Sequence, residues 1–151
     1  TEVVQFGDMT NLRHVGLIVR DSTKALKLYS EILGFQPKID QVESGKFFEQ
    51  LTGINDAKAR TIKCFSSLDN SCIEIIEFLT PVSNSRKKDL AYEGFNHIAL
   101  NVKDLEAIHT KLKKIEIEFI SEPSINLEKT AKVCFCKDFE GNLLELVETI
   151  T

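Results

Sequence analysis

The sequence predicts an α+β fold built from two tandem βαβββ modules. Two observations carry that prediction. Residues 14–21 read His-Val-Gly-Leu-Ile-Val-Arg-Asp and residues 97–104 read His-Ile-Ala-Leu-Asn-Val-Lys-Asp, a shift of 83 that keeps chemical type at all positions but one. Residues 73–77 read Ile-Glu-Ile-Ile-Glu and 144–148 read Leu-Glu-Leu-Val-Glu, a shift of 71. Two matched segments in the same order in each half mark a duplicated unit, the first copy about a dozen residues longer between its matches.

Each unit then reads element by element. Leu12–Val19 alternates and is rich in β-branched residues, which predicts a strand. Asp21 and Ser22 are helix-capping types, Ala25, Leu28, Tyr29, Ile32 and Leu33 follow at helical spacing, and Gly34 ends the helix. Strand-like runs follow at about 35–42, 59–67 and 72–79. The second unit repeats the series: a strand over Asn96–Val102, a cap at Asp104, and Leu105, Ile108, Leu112 and Ile115 on one helix face. Its remaining strands are expected at about 117–121, 131–137 and 143–149. The first module therefore spans 10–79 and the second 95–149, within one domain of residues 1–151. The polar stretch 80–94, with Pro81, Ser83, Asn84 and Ser85, reads as the linker. The extra residues fall at 43–57, where Phe47, Phe48 and Leu51 at helical spacing suggest a short helix over a sheet edge, or a lid.

Composition removes several function classes. The chain has 151 residues, 42% hydrophobic and 28% charged, enough for a real core and too mixed for disorder. Its 19 Lys and Arg against 23 Asp and Glu give a net charge of −4, without the basic excess of a nucleic-acid-binding domain. No apolar run approaches the ~20 residues needed to span a bilayer. No charged-then-apolar leader opens it. Cys64, Cys72, Cys134 and Cys136 all lie in strand-like runs, so we expect reduced, partly buried thiols and a cytoplasmic protein.

The chemistry concentrates on four acidic positions and two histidines. His14 and His97 open the first strand of each module, and each has a small residue two positions along on the same face, Gly16 and Ala99. Room is left above that face, while Val15, Leu17, Val19 and Ile98, Leu100, Val102 form the packed one. Glu74 and Glu77, and likewise Glu145 and Glu148, are three apart, so one of each pair points inward and one toward solvent. An inward carboxylate must be neutralised, paired or bound to a metal. Two imidazoles and two carboxylates suit divalent Zn, Ni, Co, Mn or Fe. Parity alone leaves open which Glu of each pair is the inward one. His109, mid-helix without a counterpart, reads as surface.

At this point the motifs match a known group. Leu-Arg-His-Val-Gly-Leu-Ile-Val-Arg-Asp leading to Leu-Tyr-Ser-Glu-Ile-Leu-Gly-Phe, then Cys-Ile-Glu-Ile-Ile-Glu-Phe, Phe-Asn-His-Ile-Ala-Leu-Asn-Val and Asp-Phe-Glu-Gly-Asn-Leu-Leu-Glu-Leu-Val-Glu occur in that order. Over residues 10–149 the chain resembles the vicinal oxygen chelate superfamily, which includes glyoxalase I, methylmalonyl-CoA epimerase, extradiol dioxygenases and fosfomycin or bleomycin resistance proteins. The resemblance implies a cupped mixed β-sheet with helices on the outside. It implies His14, Glu74, His97 and Glu145 as metal ligands, which leaves Glu77 and Glu148 as the outward residues. Phe139 and Glu140 stand where the family usually has Pro and Asp in its last turn, with Gly141 and Asn142 still able to make it.

For the reaction, the resemblance implies a lyase or isomerase of the glyoxalase type. A divalent ion would polarise vicinal oxygens and stabilise an enolate or enediolate, with Glu145 as first and Glu74 as second candidate for the base. Epimerases of the methylmalonyl type usually carry Gln where Glu74 stands and a further catalytic Glu, for which only Glu43 and Glu49 in the insert offer themselves. A ring-cleaving dioxygenase would use His14, His97 and Glu145 and need Glu74's position free; a fosfomycin-type thiol transferase meets the same difficulty. A metal-free sequestering protein of the bleomycin-resistance kind would not need the four residues. Phe47, Phe48, Phe65, Phe78 and Phe135 are candidates to line a pocket, and Arg13, Arg20 or Lys63 to hold an anion, a role the run Arg86-Lys87-Lys88 fills less well than that of solvated surface. Exposed sheet edges favour a homodimer.

Overall fold

In the computed structural model, which describes residues 1–3 and 5–151, the repeat becomes two four-stranded mixed sheets. The first holds β1 (Val15–Ile18), β2 (Gln36–Ser44), β3 (Lys58–Phe65) and β4 (Cys72–Thr80) in the order β1-β4-β3-β2. The second holds β5 (His97–Asn101), β6 (Ser124–Ile125), β7 (Ala131–Lys137) and β8 (Leu143–Thr149) in the order β5-β8-β7-β6. Each module's first strand lies parallel to its last, and the other pairings are antiparallel. A parallel pair needs a crossover, and the helix after each first strand supplies it.

Those helices are α1 (Ser22–Leu26), which widens into π-helical turns over Lys27–Ile32, and α3 (Leu105–Lys114). Asp21 accepts from the backbone N–H of Lys24 and Asp104 from that of Ala107, both at 3.1 Å, so the two predicted caps form alike. Gly34, at φ 85°, lets the first module's helix end where a side chain would be strained. In α3, Glu106 in the first turn and Lys111, Lys113 and Lys114 in the last oppose the helix dipole with the favourable sign.

Alternation along the strands decides what each face does. Ile62, Cys64, Ile73 and Ile75 of the first sheet and Cys134, Cys136, Leu144 and Leu146 of the second are buried in one continuous core with Leu28, Tyr29, Leu105 and Leu112 of the helices. Glu74 and Glu145 alternate with these residues, so their faces look away from that core. The modules are further joined where the Tyr29 hydroxyl donates to Asp138 Oδ2 at 2.6 Å. Asp138 also accepts from the N–H of Glu140 and of Asn142 and from Asn142 Nδ2, which builds the final turn. Gly141 takes φ 83° in that turn, and Phe139 packs against the core, a use for the residue found where Pro is usual.

Three expectations need correction. The strand expected at 117–121 shrinks to a single bridge, Phe119 to Cys136, and the ladder resumes at Ser124–Ile125. Ser121 turns its Oγ to the Phe135 N–H at 3.0 Å, and Pro123 has no N–H to give a ladder. The insert forms α2 (Lys46–Thr52), which covers a face rather than an edge. Phe48 packs on Ala59, Ile76 and Phe78, its ring 6.4 Å from that of Phe78, and Ile76 and Phe78 share a face with Glu74. Lys88 is not free surface: its ammonium donates to the Glu140 carbonyl at 2.9 Å.

Candidate metal centre

The strand register sets the site. Gly16 lies directly beside Glu74 and Ala99 directly beside Glu145, so the two small residues predicted to leave room do so next to the two carboxylates. His14 Nε2 stands 3.8 Å from Glu74 Oε1, and His97 Nε2 stands 3.3 Å from Glu145 Oε1. Glu74 and Glu145 are the less exposed members of their pairs, at 15% and 26% of side-chain surface.

The second pair is held by a chain of hydrogen bonds that the sequence did not disclose. Asn96 donates through Nδ2 to the carbonyls of Asp89 and Tyr92, at 2.8 and 3.2 Å. Its Oδ1 therefore faces His97 Nδ1, 2.9 Å away, and must receive a proton from it. Neutral His97 then carries its hydrogen on Nδ1 and turns the lone pair of Nε2 toward Glu145. Phe135 braces the ring edge-on at 5.3 Å. A nitrogen lone pair and a carboxylate oxygen facing each other repel unless a second ring proton or a metal cation lies between them. The only trace of this in the sequence is that Asn immediately precedes His97 where Arg13 precedes His14.

The donor set fits a divalent ion. Two N or O donors about 2.1 Å from one ion stand roughly 3.0 Å apart at a right angle and roughly 3.4 Å apart at the tetrahedral angle. The His97–Glu145 spacing falls in that range and the His14–Glu74 spacing is slightly more open. Imidazole nitrogen with carboxylate oxygen is the donor mixture of Zn, Mn, Fe, Co and Ni sites. A ligating imidazole whose other nitrogen donates to an amide oxygen is the usual outer arrangement.

Within one chain the structure makes two separate His–Glu pairs. His14 is brought to Glu74 and His97 to Glu145, but among the described residues no cluster of three or more His, Cys, Asp or Glu can share one ion. Between the edges of β1 and β5 lie two pockets of about 830 and 500 Å³, one lined by His14 and Arg13, the other by His97, Arg20, Arg86 and Lys88.

The remaining candidates separate clearly. Glu77 and Glu148 do not meet solvent as outward residues. Each turns into the core side and accepts a backbone N–H at a helix start, Ser22 for Glu77 and Leu105 for Glu148, both at 2.8 Å. His109 is not surface: its side chain is 13% exposed, its ring set at a tilt 4.4 Å from that of Phe119, with Nε2 3.4 Å from Glu122. Lys63 lies beside the site, its ammonium 3.9 Å from Glu74 Oε2. Phe47 is 75% exposed. All four cysteines are buried free thiols. No described helix is long and apolar enough to cross a membrane.

Comparison with known proteins agrees with this architecture. Residues 13–135 match the family described as the Glyoxalase/Bleomycin resistance protein/Dioxygenase superfamily. A probable lactoylglutathione lyase from Synechocystis sp. is 29% identical over 139 residues, covering 91% of this chain and 95% of the relative. A glyoxalase family protein from Bacillus cereus has a crystal structure that superposes with TM-score 0.88 at 19% identity, covering 99% of this chain and 100% of that one. A fosfomycin resistance protein from Listeria monocytogenes, solved with Mn(II) and sulfate, superposes with TM-score 0.59 at 19% identity, covering 95% of each chain. With its duplicated βαβββ modules and its match over most of its length, the chain belongs to the glyoxalase/bleomycin resistance protein/dioxygenase superfamily.

Proposed function

We propose that this protein is a divalent-metal-dependent lyase or isomerase of the glyoxalase type, acting on a small molecule with vicinal oxygens. His14, Glu74, His97 and Glu145 would hold the ion, whose chemistry is to polarise substrate oxygens and so ease loss of a proton from the neighbouring carbon. The observation that carries the reading is the convergence of His97 Nε2 and Glu145 Oε1, 3.3 Å apart with the Nδ1 proton of the imidazole committed to Asn96.

The chain's own residues supply the rest. Asn96 fixes the tautomer of His97, Phe135 fixes its plane, and the two glutamates are the groups within the site able to take a proton and return it. Gly16 and Ala99 keep the space beside the carboxylates open. The relative from Synechocystis, a probable lactoylglutathione lyase, supports a lyase over other chemistries of the superfamily.

The half-sites complete one another in a homodimer on this reading, the His14–Glu74 pair of one chain meeting the His97–Glu145 pair of a second. Support comes from their separation within the chain and from the exposed faces that bear them. The test is metal content after reconstitution with Zn, Ni, Mn, Co and Fe separately, on wild type, His14→Ala and Glu145→Ala. One ion per chain, lost in both variants, is the expected result. Absence of uptake from every metal would defeat the reading and leave the four residues to structure or direct ligand contact.

A further inference from the structure

The two half-sites are not equivalent, although the repeat that made them is. Glu74 and Glu145 occupy the same place in their sheets, and in each the residue directly across the antiparallel ladder lies on the same face. That residue is Lys63 opposite Glu74 and Phe135 opposite Glu145. In the first half the ammonium of Lys63 stands 3.9 Å from Glu74 Oε2, while His14 stands 3.8 Å from Oε1, so the carboxylate already has two claimants. In the second half Phe135 offers no charge, packs against His97, and leaves Glu145 with the imidazole alone. The outer hydrogen bonds differ in the same sense, since Asn96 locks His97 and Arg13 stands at the position equivalent to Asn96.

From this asymmetry we infer that Lys63 is a positioning residue that makes Glu74 the exchangeable carboxylate of the site, while His97 and Glu145 anchor the ion. The inference rests on the metal-site reading above. A carboxylate leaving an ion must find another partner for its charge, and Lys63 is in place to receive it without a change of backbone. In the second module no Lys or Arg among the described residues stands within ion-pair distance of Glu145. Of the two glutamates, Glu74 is then the one free to exchange protons with a substrate, which reverses the order in which the family resemblance ranks them.

The inference predicts an effect of unusual sign. Removing the Lys63 charge removes a competitor for Glu74, so Lys63→Met should tighten divalent binding by about two- to fivefold, the scale of one solvent-touched ion pair. Lys63→Arg should restore wild-type affinity. A merely structural lysine, partly exposed as this one is, would leave affinity unchanged or lower it when truncated. The measurement is calorimetric titration of the full-length protein with Mn²⁺, beside Glu74→Gln and Glu145→Gln. Glu145→Gln is expected to weaken binding at least tenfold and Glu74→Gln by only a few-fold. Equal or weaker affinity in Lys63→Met, or a greater loss in Glu74→Gln than in Glu145→Gln, would overturn the assignment while leaving the metal site standing. A wild type that binds no Mn²⁺, Zn²⁺ or Ni²⁺ would overturn the metal reading and this inference together.

Discussion

Glu148 accepts a hydrogen bond from the backbone N–H of Leu105 at 2.8 Å, and so ties the last strand of the second module to the first turn of its helix. Glu77 and Ser22 make the same bond at the same length in the first module. The repeat thus conserves two acidic pairs with divided labour: one glutamate faces the open side, and its neighbour three residues on holds a helix start. Glu148→Ala and Glu77→Ala should each cost about 1 kcal/mol of stability, the worth of a lost cap with its dipole interaction. Glu145→Ala should cost little stability and abolish metal uptake. Urea unfolding of the three variants, alongside metal analysis, distinguishes the two roles.

That division also marks how far the sequence could be read. The duplication, the first strand and helix of each module, and the matching places of His14 and His97 followed from shift, alternation and capping types, while the choice of Glu74 and Glu145 as their partners came from the family resemblance. Parity separated each pair of glutamates but could not say which one had a backbone donor waiting, because that donor belongs to a helix start 55 residues away in the first module and 43 in the second. Residues 117–121 have strand composition, yet ladder formation depends on a partner, and Phe119 finds one only at a single bridge. His109 breaks no local rule for a surface position; its burial comes from Phe119, which arrives from beyond the helix.

If the site is built between chains, two inactive variants should rescue each other. A mixture of His14→Ala and Glu145→Ala chains, denatured and refolded together, would yield mixed dimers in which one site carries both lesions and the other carries none. Metal content should rise from near zero in each separate variant to about one ion per mixed dimer. Sites contained within single chains would give no recovery.

The buried thiols set an alkaline limit. Burial is the largest cause in each case and pushes Cys136 up to about 12, and Cys64 and Cys134 up to about 11. Burial, with Asp138 alongside, raises Tyr29 as well. Each group has a higher pKa folded than unfolded. Its contribution is therefore complete below the unfolded thiol value, about 8.5, and is lost as pH climbs through the folded values. Stability should be flat from pH 7 to 8 and fall steadily above about pH 9. The same burial should leave all four cysteines unreactive toward a thiol reagent at pH 8 until denaturant is added.

Tyr29 and Asp138 offer a direct probe of how the modules are coupled. Tyr29→Phe removes the 2.6 Å bond but keeps the ring, and Asp138 retains its bonds from Glu140 and Asn142. A loss of about 1–2 kcal/mol is expected, toward the low end for a buried polar group deprived of one partner. A double-mutant cycle with Asp138→Asn would isolate the term that crosses between modules.

A shared interior has a consequence for engineering. Leu28 and Tyr29 lie in the same buried cluster as Leu105 and Leu112, so the two halves share one apolar centre. A single βαβββ unit cut out at the linker would be left with bare Leu and Ile where its twin had been, and would be driven to pair with another copy or to aggregate. Joining two such units in one polypeptide makes what would be a contact between molecules the centre of a single one.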